Sequence, residues 1–460
     1  MQEKLRITKD NFKNQAGFSV IMLTISLAFY LFFACFDGVV ICADSPGYLE
    51  MNLTREPVYP LFLAFFRFLS GGASDGYLIA AVLFQSILAA VAAWSLAAFF
   101  AREFHLSKAV SLLVLGIPMA VSLLCRFAAK RGSMYSNSIL TEGLTVSGYL
   151  LFFRFFLAYV YQSKKRDLLV CALLSFLMIS TRKQMTVTLI LLIVGILYVS
   201  FIKKKGKKGI LIAFVCSFAI LFCSMCLDVG YNYVLRGKAV RHSGDTRFLT
   251  TMAFYTAERE DGQYIEDEDV RKLFLQIYDI CDEGGYLKDY AKEGWMNRVA
   301  HFGDHYDHIQ IDTMWRLITD YAARNGGDAV DVNKYTDFIM NRINAAVLPH
   351  NIAKVAATFF DNFLSGMVTT VAQRKSILVG YTIFIYLLYI FLLFYHLRQG
   401  KNDHLCLLAL LTLLSVFCNV GLVSLVIFCQ TRYTIYNMAL FYISLLLMLD
   451  ELVCEYFQLQ

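Results

Sequence analysis

Charge, proline and tryptophan are all scarce in this chain. Charged residues make up 17% of its 460 residues, with only 5 prolines and 3 tryptophans; soluble domains carry roughly 25% charge. Hydrophobic residues reach 58% and aromatics 15%. So apolar a chain cannot bury its surface in one water-soluble core. The alternative solvent is lipid, where helices satisfy their own backbone polar groups. No Pro-rich or Ser-rich linker appears, no internal repeat is evident, and no cleavable signal-peptide pattern opens the sequence, so the first apolar run reads as a retained anchor. The twelve cysteines fall mostly inside apolar runs, with only Cys281 in the large polar region. That distribution excludes a disulfide framework and a paired CxxC zinc pattern, and leaves small packing residues.

What is present is a series of apolar runs long enough to cross a bilayer. Spans are expected near 18–36, 78–100, 107–124, 139–160, 167–181, 185–202, 209–228, 377–396, 405–427 and 434–452. The fifth and sixth are short and meet at Thr181-Arg182-Lys183-Gln184, which reads as a hairpin, because one longer helix would bury two cations. Lysine and arginine clusters at 4–13, 164–166, 203–208 and 398–401 all fall on one side of a ten-span chain, and that side is the expected cytoplasm. Two regions are then external: 37–77, and 229–376. The second holds 21 acids against 17 bases, a balance of −4, while the rest of the chain is +10. Helical periodicity at Val270–Tyr278 and Met314–Ala323 predicts a small, mostly helical external domain. The expected fold is therefore an all-α polytopic transmembrane bundle of about ten spans. An N-terminal membrane module covers 1–228, the external domain 229–376, and C-terminal membrane helices 377–460. Partners are the lipid bilayer and its solutes; no nucleic-acid partner is expected.

Polar groups at unfavourable depth point to function. The expected external edge should be poor in cations, yet Arg126, Lys130 and Arg131 follow the third span. Arg182 and Lys183 cap the hairpin, Arg432 opens the last span, and Arg55 and Arg67 sit in the first external loop. Cations converging there suit a lipid phosphate or pyrophosphate, since Arg grips phosphate oxygens bidentately; the plainer reading is that each snorkels to headgroups. The first loop also carries Asp37, Asp44, Glu50 and Glu56. Asp44, in a turn-rich Asp-Ser-Pro-Gly setting, is either a base that deprotonates a hydroxyl or a turn residue bonded to its own backbone. Glu50 and Glu142 are further catalytic candidates. Glu142, in Thr141-Glu142-Gly143, also suits a helix N-terminus through the dipole. His301, His305 and His308 would share a helical face at metal-like spacing, with a polar surface helix as the alternative. The Asn52-Leu53-Thr54 sequon is short enough to arise by chance.

Asp44-Ser45-Pro46-Gly47-Tyr48, followed by Arg55-Glu56-Pro57-Val58-Tyr59-Pro60-Leu61-Phe62-Leu63, resembles the signature of C-type (GT-C) membrane glycosyltransferases. It is most similar to the bacterial branch akin to protein O-mannosyltransferases and the aminoarabinose transferase of lipid A. In order along the chain, Thr141-Glu142-Gly143 is similar to that family's acid at the fourth helix, Ser180-Thr181-Arg182 to its Arg after the fifth, and Thr431-Arg432-Tyr433 to its Arg-Tyr pair opening a late helix. The similarity covers roughly 18–200 and 430–450; the usual second acid before the fourth span is missing unless Glu142 serves.

The resemblance implies transfer of a sugar from a polyprenyl phosphate to a hydroxyl of a glycan, lipid or protein acceptor, with inversion, on the outer face of the membrane. Asp44 would be the base. Arg126, Lys130, Arg131, Arg182, Lys183 and Arg432 would clamp the phosphate with Tyr433, and Arg55 would fix the loop. Tyr59, with Pro57 and Pro60, would shape the helix entry. No cofactor is required, although a divalent metal near the acids is possible. The rival readings are a polysaccharide polymerase or ligase with a lipid-diphosphate donor, a transporter or flippase for lipid-linked sugars, and a catalytically dead scaffold. A transporter should show inverted repeats and midplane acids, which are not found.

Overall fold

A computed structural model describes residues 2–72, 76–128, 132–202, 208–324, 326–400 and 402–458. The fold is all-helical, with no strand among those residues. In chain order the helices are α1 (Gln2–Asp37), α2 (Ser45–Leu49), α3 (Val58–Leu69), α4 (Gly76–Glu103), α5 (Lys108–Ala128), α6 (Glu142–Gln162), α7 (Lys165–Ile179), α8 (Thr186–Ile202) and α9 (Lys208–Arg236). There follow α10 (Thr246–Thr256), α11 (Glu268–Glu283), α12 (Trp295–Asp307), α13 (Arg316–Arg324), α14 (Ala329–Val347), α15 (Ile352–Val371), α16 (Ser376–Gln399), α17 (Asp403–Ser424) and α18 (Thr431–Gln458).

Among the described residues nine helices are long and apolar enough to cross a membrane: α1, α4, α5, α6, α8, α9, α16, α17 and α18. The tenth expected span forms as α7, of 15 residues. At 1.5 Å per residue it measures roughly 22 Å, short of a hydrocarbon core of about 30 Å. It still runs back along α6. It begins three residues after α6 ends, and Arg182, just beyond its C-terminus, reaches Glu142 in the first turn of α6. The expected hairpin at 181–184 is thus the turn between α7 and α8, wound as a 3₁₀ segment over Lys183–Met185.

The membrane core is made by close approach. Ala89, Ala90, Ala92, Ala93 and Ala97 are buried along α4, which packs against α1 and α6; small side chains allow helix backbones to come together where lipid gives no hydrophobic drive. Phe152, Phe153 and Phe156 of α6, and Tyr389 and Phe441 of α16 and α18, belong to the same buried core. The region after α9 has its own core of Phe254, Phe274, Ile277, Tyr306, Ile309 and Ile343. Its helices start at proper caps: the Asp267 carboxylate accepts from the backbone N–H groups of Asp269 and Val270, and Asp328 does the same for Val330 and Asp331. Phe428, in the turn before α18, inserts beside Tyr306 at 5.3 Å between ring centres and ties this region to the membrane helices. All twelve cysteines are free.

Candidate functional site

The first loop is fastened to the segment before α6. Val40 donates its N–H to the Asn137 carbonyl at 3.0 Å and accepts from the Ile139 N–H at 3.0 Å. The Asn137 side chain donates to the carbonyls of Phe33 and Gly38, and the Ser45 hydroxyl donates to the Ile139 carbonyl at 2.8 Å. These bonds bring Asp44, just before α2, to the start of α6, where Glu142 sits.

Around those two acids the fold gathers three arginines from three other elements. Arg55 Nη2 donates to Asp44 Oδ1 at 3.1 Å, and its guanidinium lies 4.6 Å over the Tyr48 ring. Arg432 Nη1 donates to Asp44 Oδ2 at 2.9 Å while its Nε bonds Glu142 Oε1. Arg182 Nη1 reaches Glu142 Oε1 at 2.7 Å and the Thr141 hydroxyl at 3.1 Å. The Tyr433 ring lies under both Arg182 and Arg432, at 5.3 and 5.9 Å. Gln184 fixes the hairpin turn to the last two helices, donating to Asn419 Oδ1 at 2.8 Å and to the Tyr433 carbonyl at 2.6 Å.

The two acids differ in access. The Glu142 side chain is 0% exposed and that of Asp44 35%. Glu142 is consumed in holding two guanidinium groups; Asp44 is the carboxylate a ligand can reach. Asp44 makes no side-chain bond at the start of α2, so its carboxylate serves the arginines rather than its own turn. Burial raises its carboxyl, but Arg432 and Arg55 outweigh burial and hold it below the ordinary aspartate range.

A fourth arginine, Arg247 from α10, was not anticipated. Burial and the nearby Arg55 charge lower its guanidinium, while Asp44 pulls the other way. The Nε atoms of Arg55 and Arg247 are both buried and without a hydrogen-bond partner among the described residues. Two orphaned N–H groups on adjacent cations are a local demand for an anion.

The other sequence candidates are distributed differently. Arg126 pairs with Asp37 at the end of α1 and lies over Phe33 and Phe36, outside the arginine cluster. Lys130 and Arg131 fall outside the described residues. Glu50 is exposed at the C-cap of α2. Tyr59 is fully buried; its hydroxyl donates to Gln85 Oε1 at 2.9 Å, and Gln85 Nε2 donates to the carbonyls of Ser136 and Ser138. It braces the loop instead of facing a ligand. Gly143 makes room for that brace, since a Cβ there would stand 2.5 Å from the Gln85 side chain. Gly143→Ala is expected to destabilise the protein by about 1–3 kcal/mol through overpacking, read as a lower thermal midpoint in detergent; a midpoint equal to the unsubstituted protein would refute the brace.

His301, His305 and His308 do lie together, with ring centres 4.5 and 6.2 Å apart, but their partners are elsewhere. His301 Nε2 bonds the Gly285 carbonyl, His305 and His308 flank the Tyr286 ring, and His308 Nδ1 bonds Asp312. From His308 the chain winds as a π-helix to Trp315, so the regular face ends there. The group of metal-type donors that the fold brings together among the described residues is Glu56, His242 and Asp245, with one ligand atom of each within 4.8 Å of the others. Asp228, at the inner side of α9, takes His242 Nδ1 at 2.6 Å, and Asp245 takes Nε2 at 2.9 Å. Burial works against a charged imidazole, but these hydrogen bonds prevail and push His242 up to about 10. A divalent cation there would have to displace the Nε2 proton that His242 shares with Asp245, with Asp228 fixing the other nitrogen, the arrangement that orients metal-binding histidines. Glu56 also accepts the Lys183 backbone N–H at 3.1 Å, which joins this cluster to the hairpin turn. The donors fit a divalent cation.

No protein-family model matches the chain, and no curated protein matches it; what stands is a multi-pass helical membrane protein with an acid–arginine cluster at one end of the bundle.

Proposed function

We propose that the protein is an integral-membrane glycosyltransferase. It moves a sugar from a polyprenyl-phosphate donor to an acceptor hydroxyl at the outer face of the cytoplasmic membrane, with both termini in the cytoplasm. The observation that carries the reading is the accessible Asp44 carboxylate beside two guanidinium groups whose Nε atoms have no partner among the described residues. A base and an anion site stand side by side, which is what displacement of a lipid phosphate by a hydroxyl requires.

In that reaction Asp44 takes the acceptor proton as the hydroxyl oxygen bonds to the anomeric carbon, on the face opposite the leaving phosphate. The bond from that carbon to the phosphate oxygen breaks, and the electron pair leaves with the phosphate. Arg55 and Arg247 receive the growing charge. Arg182 and Arg432, locked on Glu142, hold the walls. If a divalent cation occupies Glu56, His242 and Asp245, it adds positive charge near the same phosphate.

An apolar groove supports a lipid donor. Between α5 and α18 lies a cavity of ≈550 Å³ walled by Ile117, Val121, Met438 and Leu445. Val121 also lines a narrow cleft that reaches Glu142 and Tyr436. An isoprenoid chain in the groove would leave its phosphate end at the arginines.

The test is transfer by the full chain in nanodiscs from radiolabelled polyprenyl monophosphate sugars, set against diphosphate-linked ones. Transfer from the monophosphate donor is expected. Transfer from the diphosphate donor alone would replace the reading with a polymerase or ligase. Movement of either donor across sealed vesicles without transfer would replace it with a flippase.

A further inference from the structure

The end of the bundle opposite the arginine cluster holds a second concentration of charge. A cavity of ≈500 Å³ opens where the last turns of α4 and α6 meet the first turn of α7. Its walls carry four cations, Arg102, Arg154, Lys164 and Arg166, against two acids, Glu103 and Asp167. Arg154 stands twelve residues along α6 from Glu142, about 18 Å of helix rise, so the cavity is separate from the site above.

The two acids do not cancel the four cations. Glu103 is engaged by His404 Nδ1 at 2.7 Å, and that imidazole is stacked on Tyr161 at 4.1 Å. Asp167 is 4.0 Å from Arg154 Nη1, the outer limit of an ion pair. The Arg154 guanidinium is held instead by rings, 4.1 Å over Phe155 and 5.5 Å over Phe99. Its Nε is buried and has no hydrogen-bond partner among the described residues. A charged donor left unmade in a cavity with surplus positive charge calls for an anion with several acceptor oxygens. Two positive charges remain after the acids are counted, which matches a phosphate monoester at about −1.5 to −2.

We propose that this cavity binds a phosphate group, with Arg154 at its inner wall and Arg102, Lys164 and Arg166 at its rim. The phosphate belongs either to a membrane-lipid headgroup or to a soluble phosphoryl compound. Basic pockets between membrane helices take anionic headgroups, and here three helix ends form the walls. Lys164, Arg166 and Arg102 are exposed and Arg154 half-buried, so the rim is open to an incoming group.

The experiment measures the thermal midpoint of the full chain in detergent with added phosphatidic acid, with diacylglycerol of the same chains, and with inorganic phosphate. A rise with phosphatidic acid but not with diacylglycerol is expected. Arg154→Gln should raise the half-maximal concentration by about tenfold or more. The rim pair Lys164→Gln/Arg166→Gln, on exposed residues whose loss leaves the core intact, should do the same. Lys272→Gln, on the exposed face of α11, should leave it unchanged. A comparable rise with inorganic phosphate assigns the site to a soluble phosphoryl group; a rise confined to phosphatidic acid assigns it to a lipid. No rise with either phosphate probe, or identical concentration dependence in the rim pair and the unsubstituted chain, overturns the proposal.

Discussion

Asp44→Asn is expected to abolish sugar transfer, lowering kcat/KM by roughly 10²–10⁴-fold, the usual worth of a positioned base, while leaving the fold and donor binding in place. Asparagine keeps the shape and one acceptor oxygen, so Arg432 or Arg55 still finds a partner; what it cannot do is take a proton. A carboxylate held low by two arginines is a weak base in the resting site. In the proposed reaction the leaving phosphate would compete with Asp44 for Arg55 as it gains charge, and Asp44 would become more basic as the proton moves. Because the Asp44 carboxyl lies below the ordinary aspartate range, it stays ionised as pH falls through that range and is lost only below it. The acid limb of transfer should therefore lie below about pH 4. The measurement is transfer and donor binding in the same membranes across pH. Equal transfer by the Asn variant would remove Asp44 from the mechanism and move the search to Glu50, Glu56 or Glu142.

The second large effect is on stability. Arg432→Met should destabilise the protein by about 3–5 kcal/mol, because it leaves the fully buried Glu142 with half of its counter-charge. Glu142→Gln alone leaves two arginines facing each other and should also cost stability. The double variant Arg432→Met/Glu142→Gln should cost clearly less than the sum of the two, since it removes both members of the pair together. Unfolding in a denaturing detergent series reads all three. An Arg432→Met variant within about 1 kcal/mol of the unsubstituted protein would show that Arg182 alone suffices for Glu142; that bound is the ordinary scatter of surface changes doubled.

Hydropathy made the membrane helices legible, because a long apolar run has few other places to go. It expected about ten spans where nine helices among the described residues are long and apolar enough to cross a membrane, and it placed some ends short. α7 stops at 15 residues, and α9 runs on to Arg236, past the end expected at 228. That extension explains part of what was missed. Asp228 becomes a buried residue within a helix, facing His242 fourteen residues later, and no periodicity in the sequence announces such a pairing. A clue was available in the acid at the end of an apolar run followed by His242 and Asp245. The arginines were legible as a set sharing one depth, but not as pairs: Arg126 is drawn to Asp37 and Arg432 to Glu142 and Asp44, a choice that depends on which helices are neighbours. Arg247 lay in the polar region, where a cation attracts no notice. The 301–308 histidines were visible as a cluster, yet their partners, Gly285 and Tyr286, come from a turn whose path only the packed chain defines.

The bond between Arg432 and Glu142 joins residues 290 positions apart. A ribosome adding 5–20 residues per second needs about 15–60 s to cover that distance. For most of that interval, once Arg182 has been added, the nascent chain has Asp44, Glu142, Arg55 and Arg182 but not the cation that bridges the two acids. The cluster can close only when α18, the last helix, enters the membrane. A chain interrupted between α17 and residue 432 would carry the preceding helices but no finished cluster, so the site waits on the last-made of the residues that build it.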